Sequence, residues 1–232
     1  MAKAAKKKPQ RTRGIGGGTK LGPRFLRAFE FAAEKHAGQI RKASTIPYIA
    51  HLMGVASVVL EAGGDEDLAI AALLHDVVED CGGEPMLKEV RRRFGPRVAK
   101  IVDGCTDSYA TLKEPWRERK ENYIARLKKE DGDTRLVSAA DKLNNLRSIA
   151  SDYRVVGDSV WTRFNGGRDG TLWYYRTLRD EFLRHPPNRV TRDLDLALND
   201  LESLAAAMPN AAPTNVAPTS KDRQRSHSAV EA

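Results

Sequence analysis

Leu68-Ala69-Ile70-Ala71-Ala72-Leu73-Leu74-His75-Asp76-Val77-Val78-Glu79-Asp80 is the stretch whose reading decides the fold. Residues 68–74 are apolar without exception. A helix built from them has no face suited to water and belongs at the centre of a helical protein. Residues 75–80 then place four ionisable groups at the end of that helix. Burying an unpaired charge costs several kcal/mol, so polar side chains here need a physical reason. His75 and Glu79 are spaced i, i+4, as are Asp76 and Asp80, and Asp76 and Glu79 are spaced i, i+3, which puts all four on one broad helical face. Three carboxylates so placed repel one another unless a cation or shared protons compensate. A metal ion is the simplest such compensation.

Outward from this stretch the apolar period stays helical. Phe25, Leu26, Phe29, Ala32 and Ala33 form one stripe, which predicts a helix over about 23–37. Met53, Val55, Ala56, Val58, Val59 and Leu60 form a second, which follows the extended Ile46-Pro47-Tyr48 and ends near Gly63-Gly64. The third helix is expected over Leu68 to Glu79. Further helical patterns cover about 86–94, 96–106, 117–129, 134–153, 171–184 and 192–206. Alternating strand-like runs are missing, and the expectation is an all-α fold, a helical bundle.

Composition fits one folded body with two tails. Of the 232 residues 41% are hydrophobic and 30% charged, which excludes wholesale disorder. No run of about 18 apolar residues occurs and the basic N-terminus has no apolar segment after it, so neither membrane insertion nor secretion is expected and a cytoplasmic protein is. Cys81 and Cys105 lack the spacing of a zinc knuckle and read as bystanders in a reducing compartment. The net charge of +8 is lopsided: residues 1–20 carry seven Lys and Arg and no acid, and residues 209–232 carry +1, which leaves 21–208 neutral. Both ends are too polar to offset chain entropy, so a disordered basic arm (1–20), one folded domain (21–208) and a disordered tail (209–232) are expected. Such an arm attracts polyanions such as RNA, but a neutral body is not a dedicated nucleic-acid-binding fold.

Adjacent side chains on a helix diverge by about 100°, so His75 and Asp76 supply only one edge of a coordination sphere. Two other residues repeat the anomaly. His51 follows Pro47-Tyr48-Ile49 at the start of the second helix, and Asp141 interrupts the apolar run Leu136-Val137-Ser138-Ala139-Ala140. His51, His75, Asp76 and Asp141 make a mixed nitrogen and oxygen set that leaves two positions of an octahedron free, which suits Mn²⁺ or Fe²⁺ better than structural zinc. The bland reading of a lone buried His is a hydrogen-bonded core residue, and a His-Asp dipeptide alone is weak. His36, with no partner pattern, reads as structural, and His185 and His227 lie in a Pro-flanked turn and a tail.

The order Arg41-Lys42, Pro47-Tyr48-Ile49-Ala50-His51, Ala71 to Asp80, and Ala140-Asp141-Lys142-Leu143-Asn144-Asn145-Leu146-Arg147 resembles the HD hydrolases of the RelA/SpoT type, over roughly residues 25–185. Their single-domain members are the small alarmone hydrolases. The resemblance implies an HD-domain helical bundle with metal ligands His51, His75, Asp76 and Asp141. It implies that Glu79 and Asp80 position or activate the attacking water, and that Arg41, Lys42, Asn145 and Arg147 lie near the nucleotide. The implied reaction removes the 3′-diphosphate of (p)ppGpp to give GDP or GTP and pyrophosphate. No synthetase domain is expected after residue 208, so the expectation is hydrolysis only. Phe164-Asn165-Gly166-Gly167 with Leu172-Trp173-Tyr174-Tyr175-Arg176 resembles the distal wall of the pocket, and the pattern leaves open whether Tyr174 or Tyr175 faces it. Three rivals stay open: the same chemistry on an adenosine alarmone or another 3′-phosphorylated nucleotide, a non-catalytic nucleotide sensor, and an RNA-associated protein. The intact acid and metal set weighs against the sensor, and the neutral body against the RNA binder.

Overall fold

Prolines and aspartates at helix entrances and glycines at exits set many of the boundaries. In the computed structural model, which describes residues 19–109 and 115–207, Pro23 and Pro96 open helices where their missing N–H groups cost nothing. Asp65 and Asp131 cap two others by accepting from the amides of Leu68 and Thr134. Gly95, at φ 96°, lets one helix end and the next begin without an intervening loop.

The described helices are α1 (Pro23–Lys35), α2 (Ile49–Glu61), α3 (Glu66–Leu74), α4 (Val77–Cys81), α5 (Gly83–Phe94), α6 (Pro96–Cys105), α7 (Trp116–Leu127), α8 (Gly132–Val156), α9 (Gly167–Leu183) and α10 (Arg189–Ala207), with a 3₁₀ turn at Gly157–Arg163 before α9. No strand occurs among the described residues, where an isolated bridge joins Ile40 to Pro47. The all-α expectation is what the chain forms. None of the described helices is long and apolar enough to cross a membrane.

Helix α8 is the axis. Its 25 residues rise about 37 Å, and Val137, Ala139, Ala140, Leu143, Leu146 and Ala150 are buried along it. Helices α2, α3, α6 and α10 lie against it. All seven residues from Leu68 to Leu74 in α3 are buried, as their composition demands.

Three departures from the sequence reading have physical causes. The helix expected over Leu68 to Glu79 is interrupted at His75 and Asp76. There the His75 Nδ1–H donates to the Ala72 carbonyl at 2.8 Å, the acceptor that the Asp76 amide would use in an unbroken helix. Both residues keep right-handed backbone angles, so the break is shallow. Helix α9 begins at Gly167, earlier than its apolar stripe suggests, because the indole of Trp116 covers Gly166 and Gly170. A Cβ on Gly166 would lie 2.6 Å from that ring. The 3₁₀ turn has no sequence period to announce it.

The expected arm and tail fall almost wholly outside the described residues. Thr19, inside the expected arm, donates from its hydroxyl to the Gly64 carbonyl at 2.7 Å. Helix α10 seals one flank of α8 through Leu194, Leu198 and Leu201, all buried completely. Leu198→Ala should therefore cost about 2–5 kcal/mol and lower the melting temperature by several degrees while leaving metal content unchanged. An unaltered melting temperature would show that α10 contributes nothing to the core.

Candidate metal centre

Three separate helical segments deliver the residues that the sequence reading assembled. Helix α2 carries His51 in its first turn, the break between α3 and α4 carries His75 and Asp76, and α8 carries Asp141. The His51 Nε2 atom lies 3.3 Å from His75 Nε2, 3.3 Å from Asp141 Oδ1 and 3.6 Å from Asp76 Oδ2. His75 Nε2 is 3.0 Å from Asp76 Oδ2 and 3.7 Å from Asp141 Oδ1. One donor atom from each of the buried His51, His75 and Asp141 lies within 4.8 Å of the others, a potential site for a divalent metal. Asp76 is less buried and flanks this trio.

Each imidazole is fixed by its other nitrogen. The His51 Nδ1–H donates to Asn144 Oδ1 at 2.8 Å, and the His75 Nδ1–H to the Ala72 carbonyl. Both Nε2 lone pairs are thereby turned toward the same point as the two carboxylates, an arrangement of acceptors that fits a cation. Without one, protons must serve. Burial pushes His75 toward its neutral form, but the charge of Asp76 and hydrogen bonds to Asp141 and Asp76 outweigh it and hold its pKa well above the usual value. His51 behaves likewise, burial being outweighed by Asp141 and Asp76. Burial acts to raise the Asp141 carboxyl, yet Lys142 and the two imidazoles hold it well below the ordinary range. Asp76 is similarly held low by His75 and His51 against its burial.

A layer of residues supports the cluster, and of these the sequence reading had named Asn145 alone, as a neighbour of the nucleotide. The Tyr48 hydroxyl donates to Asp76 Oδ2 at 2.6 Å, Lys142 pairs with Asp141 Oδ2, and Asn145 Nδ2 donates to Asp141 Oδ1 at 2.6 Å. Gly54, one turn beyond His51, is where α2 and α8 meet: a Cβ there would lie 2.4 Å from Asn144 Nδ2. The spacing of Asn144 and Asn145 three and four residues after Asp141 was a usable signal. Which of the two faced which partner was not.

A cleft of about 380 Å³ opens beside the cluster, lined by Arg41, Lys42, Tyr48, Asn145 and Tyr175 among others. Arg41 donates to Asn145 Oδ1 at 2.9 Å, so guanidinium, amide and the Asp141 carboxylate form one chain. Asp152 and Arg163, an ion pair at 2.6 Å, stand in its wall, and neither was expected there. Tyr175 lines the cleft, whereas Tyr174 turns to Trp116 and Lys120. Arg147 does not reach it. Two residues beyond Asn145, it is rotated about 200° around α8 and pairs with Asp193 on the outer surface at 3.2 Å.

The two acids of α4 differ in their surroundings. Glu79 accepts from the Asp107 amide at 3.2 Å and lies 3.8 Å from the Arg119 guanidinium. Asp80 is exposed and accepts from Gln39 Nε2 at 2.9 Å. The protein around Asp80 and the charge of Asp76 push its carboxyl up.

The HD domain model matches residues 28–172, more than half of the chain. The chain belongs to the HD domain family. It is 41% identical over 128 residues to guanosine-3′,5′-bis(diphosphate) 3′-pyrophosphohydrolase MESH1 of Mus musculus, covering 54% of this chain and 69% of that one. It is also 41% identical over 125 residues to the guanosine-3′,5′-bis(diphosphate) 3′-pyrophosphohydrolase of Aquifex aeolicus, of which it spans 17% and which covers 53% of this chain. A solved structure described as a metazoan ortholog of SpoT that hydrolyses ppGpp matches with a TM-score of 0.63 and 29% identity, covering 80% of this chain and 97% of that one.

The protonation pattern sets the response to pH and metal. In the metal-free protein the raised imidazoles stabilise the fold fully below their unfolded pKa near 6.5, and that contribution is lost as pH rises through their folded values. The lowered carboxylates stabilise it above about pH 4, a contribution lost as pH falls through their folded values. A divalent cation must displace the imidazole protons. The rise in melting temperature on adding saturating Mn²⁺ should therefore be larger at pH 8 than at pH 6, and Asn144→Ala should weaken metal binding by about 10- to 100-fold. A metal-induced shift that ignores pH would place the cation elsewhere.

Proposed function

We propose that the chain is a metal-dependent 3′-pyrophosphohydrolase that removes the 3′-diphosphate of (p)ppGpp to give GDP or GTP and pyrophosphate. The observation that carries this reading is the way the metal-fitting cluster meets the basic cleft: Tyr48 and Asn145 line the cleft while holding Asp76 and Asp141 by hydrogen bonds. That the relatives at 41% identity are guanosine-3′,5′-bis(diphosphate) 3′-pyrophosphohydrolases supports the substrate.

His51, His75, Asp76 and Asp141 would hold a divalent cation, Mn²⁺ by the mixture of nitrogen and oxygen donors, which when bound would supply an acidified water and polarise the phosphoryl oxygens. Arg41 and Lys42 offset the phosphate charge, the guanidinium being suited to paired hydrogen bonds with a phosphate. Asn145 keeps Arg41 in register with Asp141. Glu79 and Asp80 stand four residues past His75 and Asp76, and one of them takes the proton of the attacking water. Attack at the phosphorus nearest the ribose breaks its bond to the 3′ oxygen and frees pyrophosphate. We give the proton to Glu79, whose carboxylate the Asp107 amide and Arg119 hold in place, and the positioning of the water to Asp80. We place this activity in the cytoplasm, where Cys81 and Cys105 stay as free thiols. The basic residues 1–20 serve as an accessory arm for polyanions such as RNA.

Pyrophosphate release from guanosine 3′,5′-bis(diphosphate), compared with its adenosine counterpart and with Mn²⁺ present, tests the reaction and the base together. Glu79→Gln should bind metal and nucleotide but turn over about 10²- to 10⁴-fold more slowly, since an amide keeps the shape and cannot accept a proton. Loss of metal in that variant would make Glu79 a ligand. A wild-type rate would move the base to Asp80 or beyond.

A further inference from the structure

His36 reads from sequence as a structural residue at the end of α1, yet it is the hub of a hydrogen-bonded path to the acids of α4. The residue is 4% exposed. Its Nδ1–H donates to Gln39 Oε1 at 2.6 Å, and the same amide donates from Nε2 to Asp80 Oδ2 at 2.9 Å. A glutamine amide has one accepting end and one donating end, so an imidazole N–H on the oxygen commits the nitrogen to the carboxylate.

The backbone is arranged to make this path short. Gly38, at φ 77°, turns the chain after α1 so that the Gln39 side chain folds back on His36. The Gln39 backbone N–H donates to the His36 carbonyl at 3.0 Å, and the Gln39 backbone carbonyl accepts from the Tyr48 backbone N–H at 2.9 Å. The His36 ring stacks on Tyr48, with centroids 5.1 Å apart and planes 20° apart, and Tyr48 is the donor to Asp76. The Cys81 thiol closes the other side, 3.9 Å from Nδ1. One buried imidazole thus touches both the path to Asp80 and the aromatic ring that holds Asp76.

We propose that His36 and Gln39 are positioning residues of the reaction, the imidazole fixing the Gln39 amide and the amide holding Asp80 at the edge of the metal centre. A purely structural His36 would need a hydrogen-bond partner but no amide of defined polarity aimed at an acid of the site. The inference rests on the hydrolase reading for its kinetic consequence, and on geometry alone for the path itself.

The experiment has two arms on the full chain. In the first, His36 Nδ1–H is followed by NMR of ¹⁵N-histidine-labelled protein. The signal should be protected from exchange in wild type, shift in Asp80→Asn, and lose that sensitivity when Asp80→Asn is combined with Gln39→Met, which keeps the bulk and removes the amide. In the second, kcat, KM and metal content are measured for pyrophosphate release. Gln39→Met should lower kcat about 10- to 100-fold with KM and metal content near wild type. His36→Asn, which keeps a donor in the Nδ1 place, should retain most of the rate that His36→Leu loses. A wild-type kcat in Gln39→Met overturns the proposal, as does a loss of rate that follows loss of metal, or a His36 signal indifferent to Asp80→Asn. If wild type releases no pyrophosphate, the hydrolase reading fails, and the first arm still decides whether the path exists.

Discussion

Two imidazole Nε2 atoms 3.3 Å apart inside a helical core, with two carboxylates beside them, form a constraint that the surrounding structure has to satisfy. Such a set is stable only if every other polar atom of its members is tied off and the central charge is balanced. His75 meets this by taking the Ala72 carbonyl, and α3 breaks as a result. His51 meets it through Asn144, which requires α2 and α8 to approach at a glycine, Gly54. Lys142 answers Asp141, and Tyr48 answers Asp76. Burial and the neighbouring carboxylate both push the Tyr48 phenol up, so it remains a donor.

The same logic orders the region around the centre. Basic groups gather on the cleft side, in Arg41 and Lys42, where a polyphosphate would bring negative charge. Acids gather on α4, directly after the break that carries His75 and Asp76. The two α4 acids are held by different means. Glu79 leans on the Asp107 amide and Arg119 from the α6 and α7 side, and Asp80 on Gln39 from the end of α1. Asp107 in turn accepts from both Arg119 and Lys120. A residue two places from a site residue in sequence can face the opposite way, as Arg147 does beside Asn145.

Much of the fold was legible because the signals were local. The apolar run from Leu68 to Leu74 could only be a buried helix, and the stripes of α1, α2 and α10 repeat at helical spacing. The misses arose where a side chain overrode the backbone pattern. The imidazole of His75 divided a helix that looked continuous, and the indole of Trp116 extended α9 over glycines that a propensity argument would leave outside.

Sequence by itself determined the helical class, and it singled out His51, His75, Asp76 and Asp141 as polar residues set among apolar neighbours. It could do so because burial of a polar group is a penalty legible from its apolar neighbours. Only the tertiary structure decided which nitrogen of each imidazole faces the centre, that Tyr175 and not Tyr174 lines the cleft, that Arg147 points away, and that His36 and Gln39 reach Asp80. Those outcomes depend on the rotation of one helix against another and on contacts between segments far apart in the chain, and the spacing of residues along one helix carries no record of either.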